Sequence, residues 1–292
     1  MTEPRPTIPF LVFEAIRRLF ADEAIPLAGN IAFRVLFSIF PFLIFLTALA
    51  GFFGSADLAS RVVTYLLSVA PKEFVGPIAP EINSLLTRPR TGLLSISAVI
   101  TIWSAMGGVD SVRVALNRAY GLTEDRNAFL LYGLMALFVV GSAVLLLALA
   151  VLIVFAPTAI HFISIYAPAF DDLIATFDRY RYPLALVIMV VGLFLAHLIL
   201  PARRVKLYYL MPGVILTVCV WLILSSVYSY FLANFATFAS TYVGLSGLFA
   251  AMFLIYLSAL ALILGGELNR VIVLARKYNK EASTEAADLS KE

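Results

Sequence analysis

The sequence predicts an all-α, polytopic integral membrane protein with six transmembrane helices and short interfacial helices, and three observations carry that prediction. Hydrophobic residues make up 62% of the 292 and charged residues only 13%, against roughly 25% charge in a soluble domain. Apolar stretches long enough to cross a bilayer recur along the chain, separated by polar, Gly- or Pro-marked breaks. The lysines and arginines are scattered across the breaks, where they report topology.

Residues 1–26 read as a cytoplasmic N-terminal segment. Within it, Pro9 to Glu23, with Phe10, Phe13, Arg17, Arg18 and Phe20, suits a short helix lying on anionic lipid or a solvated lead-in helix. No cleavable signal is seen, so the first span is expected to serve as an uncleaved insertion signal. That span lies in Leu27 to Gly54 and holds 19 uncharged residues, Val35 to Phe53, roughly 28 Å of helix. Arg34 stands at its start. Pro41 lacks an N–H and crowds the Phe37 carbonyl, which predicts a helix kink, with Ser38 placed to satisfy the loosened backbone. Ser55 to Thr91 is too polar to cross and reads as two interfacial helices.

Gly92 to Met106 is short for a span, but the helix can continue through Gly107 and Gly108 to Tyr120, with Asp110, Arg113 and Asn117 along a polar face. Gly121 and Thr123 end it, and Glu124, Asp125 and Arg126 read as a solvated turn. Ala128 to Phe155 is the third span. Thr158 to Arg181, which contains His161, suits an exposed loop with a short surface helix, and Tyr182 to Leu200 is the fourth span. The tight Pro201 to Lys206 turn forces an antiparallel neighbour, Leu207 to about Ala233, and Gly244 to Gly266 is the sixth span. Residues 27–270 thus form the transmembrane domain, and 271–292 a polar, disordered cytoplasmic tail.

With six spans, 15 of the 21 lysines and arginines fall on the side of both termini and 6 on the other, which makes both termini cytoplasmic. Omitting the short second span gives the same division with the N-terminus outside; Arg17, Arg18 and Arg34, close to the first span, favour six. The net charge of +3 is too small and too dispersed for a nucleic-acid surface. The one cysteine, Cys219, precludes an intramolecular disulfide and is expected to be packed and inert. His161 and His197 lie far apart, and no metal-ligand, phosphate-loop, nucleophile-elbow or dinucleotide spacing occurs. No catalytic residue, metal or cofactor is therefore expected; membrane lipids are the expected partners, together with a small-molecule or lipid substrate and a homo-oligomeric contact. His197 reads as a hydrogen-bonded packing residue or a proton relay.

LAGNIAF with Phe40 and Pro41, WSAMGGVDSVRVALNRAYG at 103–121, and YVGLSGLFAAMFLIYLSALALILGGELN at 242–269 together resemble the YihY/virulence factor BrkB family of bacterial inner-membrane proteins. Asn30, Pro41, Trp103, Asp110, Asn117, Gly266 and Glu267 are the polar and turn landmarks of the likeness. The resemblance implies a six-helix plasma-membrane protein concerned with transport or envelope integrity. Members once carried the label ribonuclease BN; the residues offer no clustered ligands for such a metal-dependent nuclease.

Ionisable groups at membrane depth are costly unless paired. Arg34 and Glu267 are expected to pair across the first and sixth helices, with Asn30, Asn269, Asp110, Arg113 and Asn117 beside them and Gly265-Gly266 letting the backbone approach Arg34. Such a cluster is either a latch that locks the bundle or a gate and headgroup site. On the opposite side, Tyr228, Asn234 and Tyr242 belong to an uncharged polar ledge that reads as a headgroup site or as an interfacial aromatic belt. A transporter or lipid-handling translocator and a non-transporting scaffold or regulator both follow from these features.

Overall fold

Seven α-helices organise residues 7–52, 91–155, 171–203, 205–235 and 243–289, which a computed structural model of the chain describes, and no strand occurs among them. They are α1 (Ile8–Ala21), α2 (Ala24–Phe52), α3 (Thr91–Tyr120), α4 (Ala128–Ala150, followed by a π-helical turn, Val151–Phe155), α5 (Asp171–Ile199), α6 (Met211–Phe235) and α7 (Val243–Leu289). Five described stretches are long and apolar enough to cross a bilayer: Ser95–Tyr120, Ala128–Ile153, Arg179–Ile199, Leu207–Phe231 and Leu248–Tyr278. Ala24–Ile39 in α2 is a shorter apolar helix. The interfacial helices expected after the first span, and His161, fall outside the described residues.

Helix ends follow local chemistry. Gly121 adopts φ +64°, its N–H bonds the Arg118 carbonyl at 2.9 Å, and the Leu122 N–H bonds that of Asn117 at 2.8 Å. This pair of bonds closes the α3 C-terminus as a Schellman motif, which only a residue free of Cβ strain accepts cheaply. Asn127 caps α4 by accepting from the Phe129 N–H at 2.9 Å. α2 continues through Pro41. The Ser38 hydroxyl donates to the Val35 carbonyl at 2.7 Å, not to the Phe37 carbonyl crowded by the proline ring.

Two helices exceed their sequence-predicted bounds. α5 starts at Asp171 rather than Tyr182 and passes through Pro183, a residue that membrane helices tolerate. α7 does not stop near Gly266 but runs 47 residues to Leu289, so the tail as far as Leu289 is helical and not disordered. Beyond Gly266 the chain has no Gly or Pro and is rich in Ala, Glu, Lys, Leu and Arg, all strong helix formers. Its first turns are also fixed by tertiary packing, with Leu268 and Val271 buried against Ala15 of α1.

The core forms around α3 and α7. Ala24, Ala28 and Ile31 of α2 meet Ala115 and Ala119 of α3 and Ala259 and Ile263 of α7, small residues that let helices approach closely. A second cluster joins Leu116 and Tyr120 to Leu193 and Ala196 of α5, Leu200 just past its end, Val214 and Val218 of α6 and Leu262 of α7. α6 and α7 cross at two glycines: a Cβ on Gly213 would overlap the Gly265 carbonyl oxygen and the Asn269 amide. Cys219 is exposed on the outer face of α6 rather than packed.

Candidate functional site

The polar residues singled out along α2, α3 and α7 divide into three groups. The first surrounds a cleft of about 630 Å³ between α2, α3 and α4. Asn30, Arg34, Asp110 and Arg113 line its polar part, and Phe33, Phe37, Trp103, Leu131, Tyr132 and Met135 its apolar part. The aromatic rim is open: Trp103 is 72% exposed and Phe33 62%. Arg34 Nε donates to Asn30 Oδ1 at 3.3 Å and Nη1 to the Gly107 carbonyl at 3.3 Å. Among the described residues it makes no ion pair, so a cation stands in the cleft with most of its donor capacity unspent.

The second group is a closed network at the α3 C-terminus. Arg113 bonds Asp110 through Nε and Nη2 at 3.0 and 2.8 Å and Glu124 through Nη1 at 2.5 Å. Asn117 donates to Glu124 at 3.2 Å and accepts from the Ala202 N–H at 2.7 Å, tying α3 to the turn between α5 and α6. Arg126 binds Glu124 at 2.7 and 2.8 Å and donates to the Leu200 carbonyl at 2.7 Å, at the negative end of α5. Glu124 is thus no solvated turn residue. Hydrogen bonds from the Arg126 guanidinium, outweighing partial burial, and further bonds from Arg113 hold its carboxyl at about 2. Glu124 and Arg126 were missed in the sequence reading because three adjacent charges look like a solvated loop; the signal lay in Gly121, whose left-handed turn folds 122–126 back onto α3.

The third group is buried in the bundle. Asn269 accepts from the Gly213 N–H at 2.8 Å and donates to the Tyr120 hydroxyl at 3.0 Å and the Leu210 carbonyl at 3.2 Å. The Tyr120 hydroxyl also lies 2.9 Å from His197 Nδ1. His197 is 0% exposed and its Nε2 has no partner. Glu267 is 0% exposed as well; neither carboxyl oxygen has a donor among the described residues, and the Asp22 carboxyl faces it. Beside it, Arg270 bonds Asp22 at 2.8 Å.

The expected Arg34–Glu267 pair is therefore not made. α7 packs so that Glu267 lies level with the α1–α2 turn, whereas Arg34 is ten residues beyond Ala24, roughly 15 Å further along α2. Arg34 meets the backbone of α3 at Gly107, not the Gly265-Gly266 step, which packs on Thr217, Gly213, Ala119 and Leu116. Of the outer ledge, Tyr228 stacks on Phe231 at 6.3 Å between ring centroids; the Asn234 side chain and Tyr242 lie outside the described residues. No group of three or more His, Cys, Asp or Glu able to hold a metal ion occurs among the described residues.

A chain whose described residues hold no strand and five apolar helices of bilayer length belongs to the class of helical membrane proteins. More particularly, the chain belongs to the virulence factor BrkB family, whose profile matches residues 15–290. It is 26% identical over 269 residues to the ribonuclease-like protein YfkH of Bacillus subtilis (strain 168), covering 92% of this chain and 97% of that protein. No solved structure matches it.

Proposed function

We propose that this chain is a non-enzymatic lipid-handling translocator of the bacterial plasma membrane, which draws an anionic amphiphile from the bilayer into the cleft between α2, α3 and α4. The observation that carries this reading is Arg34, a cation without an ion-pair partner among the described residues, at the polar end of a half-open aromatic cleft of about 630 Å³. A phosphate group satisfies a guanidinium, acyl chains suit Phe33, Phe37 and Leu131, and aromatic residues are favoured at a membrane interface. Counting α2, 29 residues long, as a span would give six, and the Lys and Arg distribution then supports cytoplasmic termini.

Fluorescence of Trp103 tests the reading, because this residue lines the cleft. Brominated phosphatidylglycerol added to the purified protein should quench it saturably and more strongly than brominated phosphatidylcholine. Trp103→Phe should remove the saturable part, and Arg34→Ala should abolish the preference for the anionic lipid while leaving the size-exclusion profile unchanged. Equal quenching by both lipids, or an unaltered preference in Arg34→Ala, would refute it.

A scaffold or regulatory role is the second reading, favoured by the closed Arg113–Glu124–Arg126 network. Lipid scrambling in proteoliposomes separates the two, since a scaffold leaves the leaflets unmixed. The nuclease reading that the relative's name raises requires contaminant-free protein to cleave RNA and an acidic-residue variant to lose that activity.

A further inference from the structure

We propose that Glu267 is a proton-binding site, and that loss of its proton transfers Arg270 from Asp22 to Glu267, releasing the α1–α2 turn from α7. The proposal does not depend on the lipid reading. It rests first on burial: an ionised carboxylate with no donor is not tolerated in an apolar core, and Glu267 is 0% exposed, with no donor to either oxygen among the described residues and the Asp22 carboxyl against it. The neutral acid fits this arrangement.

The second observation is competition for one cation. Glu267 and Arg270 are three residues apart on α7 and so lie on neighbouring positions of one face. Yet Arg270 is held by Asp22 at 2.8 Å, and its other contact is the Ala119 carbonyl at 3.5 Å. Two carboxyl groups thus face one guanidinium: while Glu267 is neutral Asp22 holds it, and once both are ionised the fully buried carboxylate, which water cannot solvate, draws it more strongly. Asp22 and Arg270 keep 25% and 24% of their side-chain surface exposed, so they cover Glu267 and give its proton a route to water.

The third observation is the strained backbone of the turn that would be released. Glu23 has φ +58°, the one described non-glycine residue with positive φ, a conformation that persists only where its surroundings impose it. The other side-chain contacts of Asp22 and Glu23 are with Arg118 of α3 at the long distances of 3.9 and 3.8 Å, and their backbone bonds, Asp22 N–H to the Arg18 carbonyl and Glu23 N–H to the Phe20 carbonyl, are local and do not tie the turn to α7. The remaining titratable or charged groups facing this site are Arg18 of α1, Tyr120 of α3 and His197 of α5. Arg18 is engaged by Glu14 at 3.0 Å, and Tyr120 and His197 by each other at 2.9 Å, which leaves Arg270 as the cation free to exchange.

Infrared spectroscopy of the full chain in lipid nanodiscs, with hydrogen exchange of residues 20–26 corrected for intrinsic rates, tests the proposal. A protonated-carboxyl band should disappear as pH is raised, and protection of the turn should be lost over the same interval. Glu267→Gln should lack the band and keep the turn protected throughout. In Asp22→Asn, Arg270 has no competing carboxylate to hold, so the band should already be missing where the wild type shows it. The wild type and Asp22→Asn decide the matter even where Glu267→Gln fails to fold. A band that survives in Glu267→Gln, a band unmoved in Asp22→Asn, or turn protection that stays constant while the band titrates would each overturn the assignment.

Discussion

Replacing Glu124 by Gln removes one negative charge from the point where α3, the 121–127 loop and the α5–α6 turn meet. Glu124 accepts from Arg113, from Asn117 and from the Arg126 backbone and guanidinium. These bonds, those of the Arg126 guanidinium foremost, place its pKa at about 2 against an ordinary 4.5. At about 1.4 kcal/mol per unit the difference corresponds to about 3 kcal/mol. Glu124 keeps 21% of its side-chain surface open, and solvent screening reduces the expected loss to about 1–2 kcal/mol. The sign follows from the lowered value: the folded carboxyl is the stronger acid, so its stabilisation is complete above the ordinary 4.5 and lost as pH falls towards about 2. Thermal unfolding in detergent, followed by fluorescence-detected size exclusion over a pH series, measures this. Glu124→Gln should unfold several degrees below the wild type at neutral pH, and the gap should close only in the acid range. Identical unfolding at neutral pH, or a gap that stays constant into acid, would refute the reasoning.

Gly213→Ala should destabilise by about 1–3 kcal/mol, because its methyl group meets a backbone carbonyl that cannot rotate away, whereas Gly133→Ala, with nothing within 4 Å of the new Cβ, should unfold with the wild type in the same assay. Tyr120→Phe leaves the Asn269 amide and His197 Nδ1 short of a buried partner and should cost about 1–3 kcal/mol, read as a lower unfolding temperature. Should Tyr120→Phe unfold like the wild type, the hydroxyl does not join α3, α5 and α7. Arg126→Ala, which uncaps α5 and strips Glu124 of its main donor, should weaken the fold less when Glu124→Gln is already present; simple additivity would show that the two residues act apart.

The all-helical architecture was legible in the sequence because lipid leaves a spanning backbone no partner but itself, so apolar run length alone identifies the helices. Helix α3 was recoverable for the same reason, its weak apolar stretch extended by the Val109, Val112, Leu116 and Tyr120 stripe, and its end was readable in Gly121. Asn30, Arg34, Asp110 and Arg113 stood out as charged or amide groups in apolar surroundings, and all four line one cleft. Which carboxylate meets which arginine was decided only by tertiary structure. Sequence places a charge at a height and on a face of its own helix, but partner choice depends on how far one helix slides along the next. The Gly213–Gly265 crossing and the alanine contacts around Ala119 set that slide, putting Glu267 beside Asp22 and leaving Arg34 to the cleft. The same packing turned an expected loop, Glu124 to Arg126, into the clasp of α3 and α5, and carried α7 through a stretch whose polarity had suggested disorder.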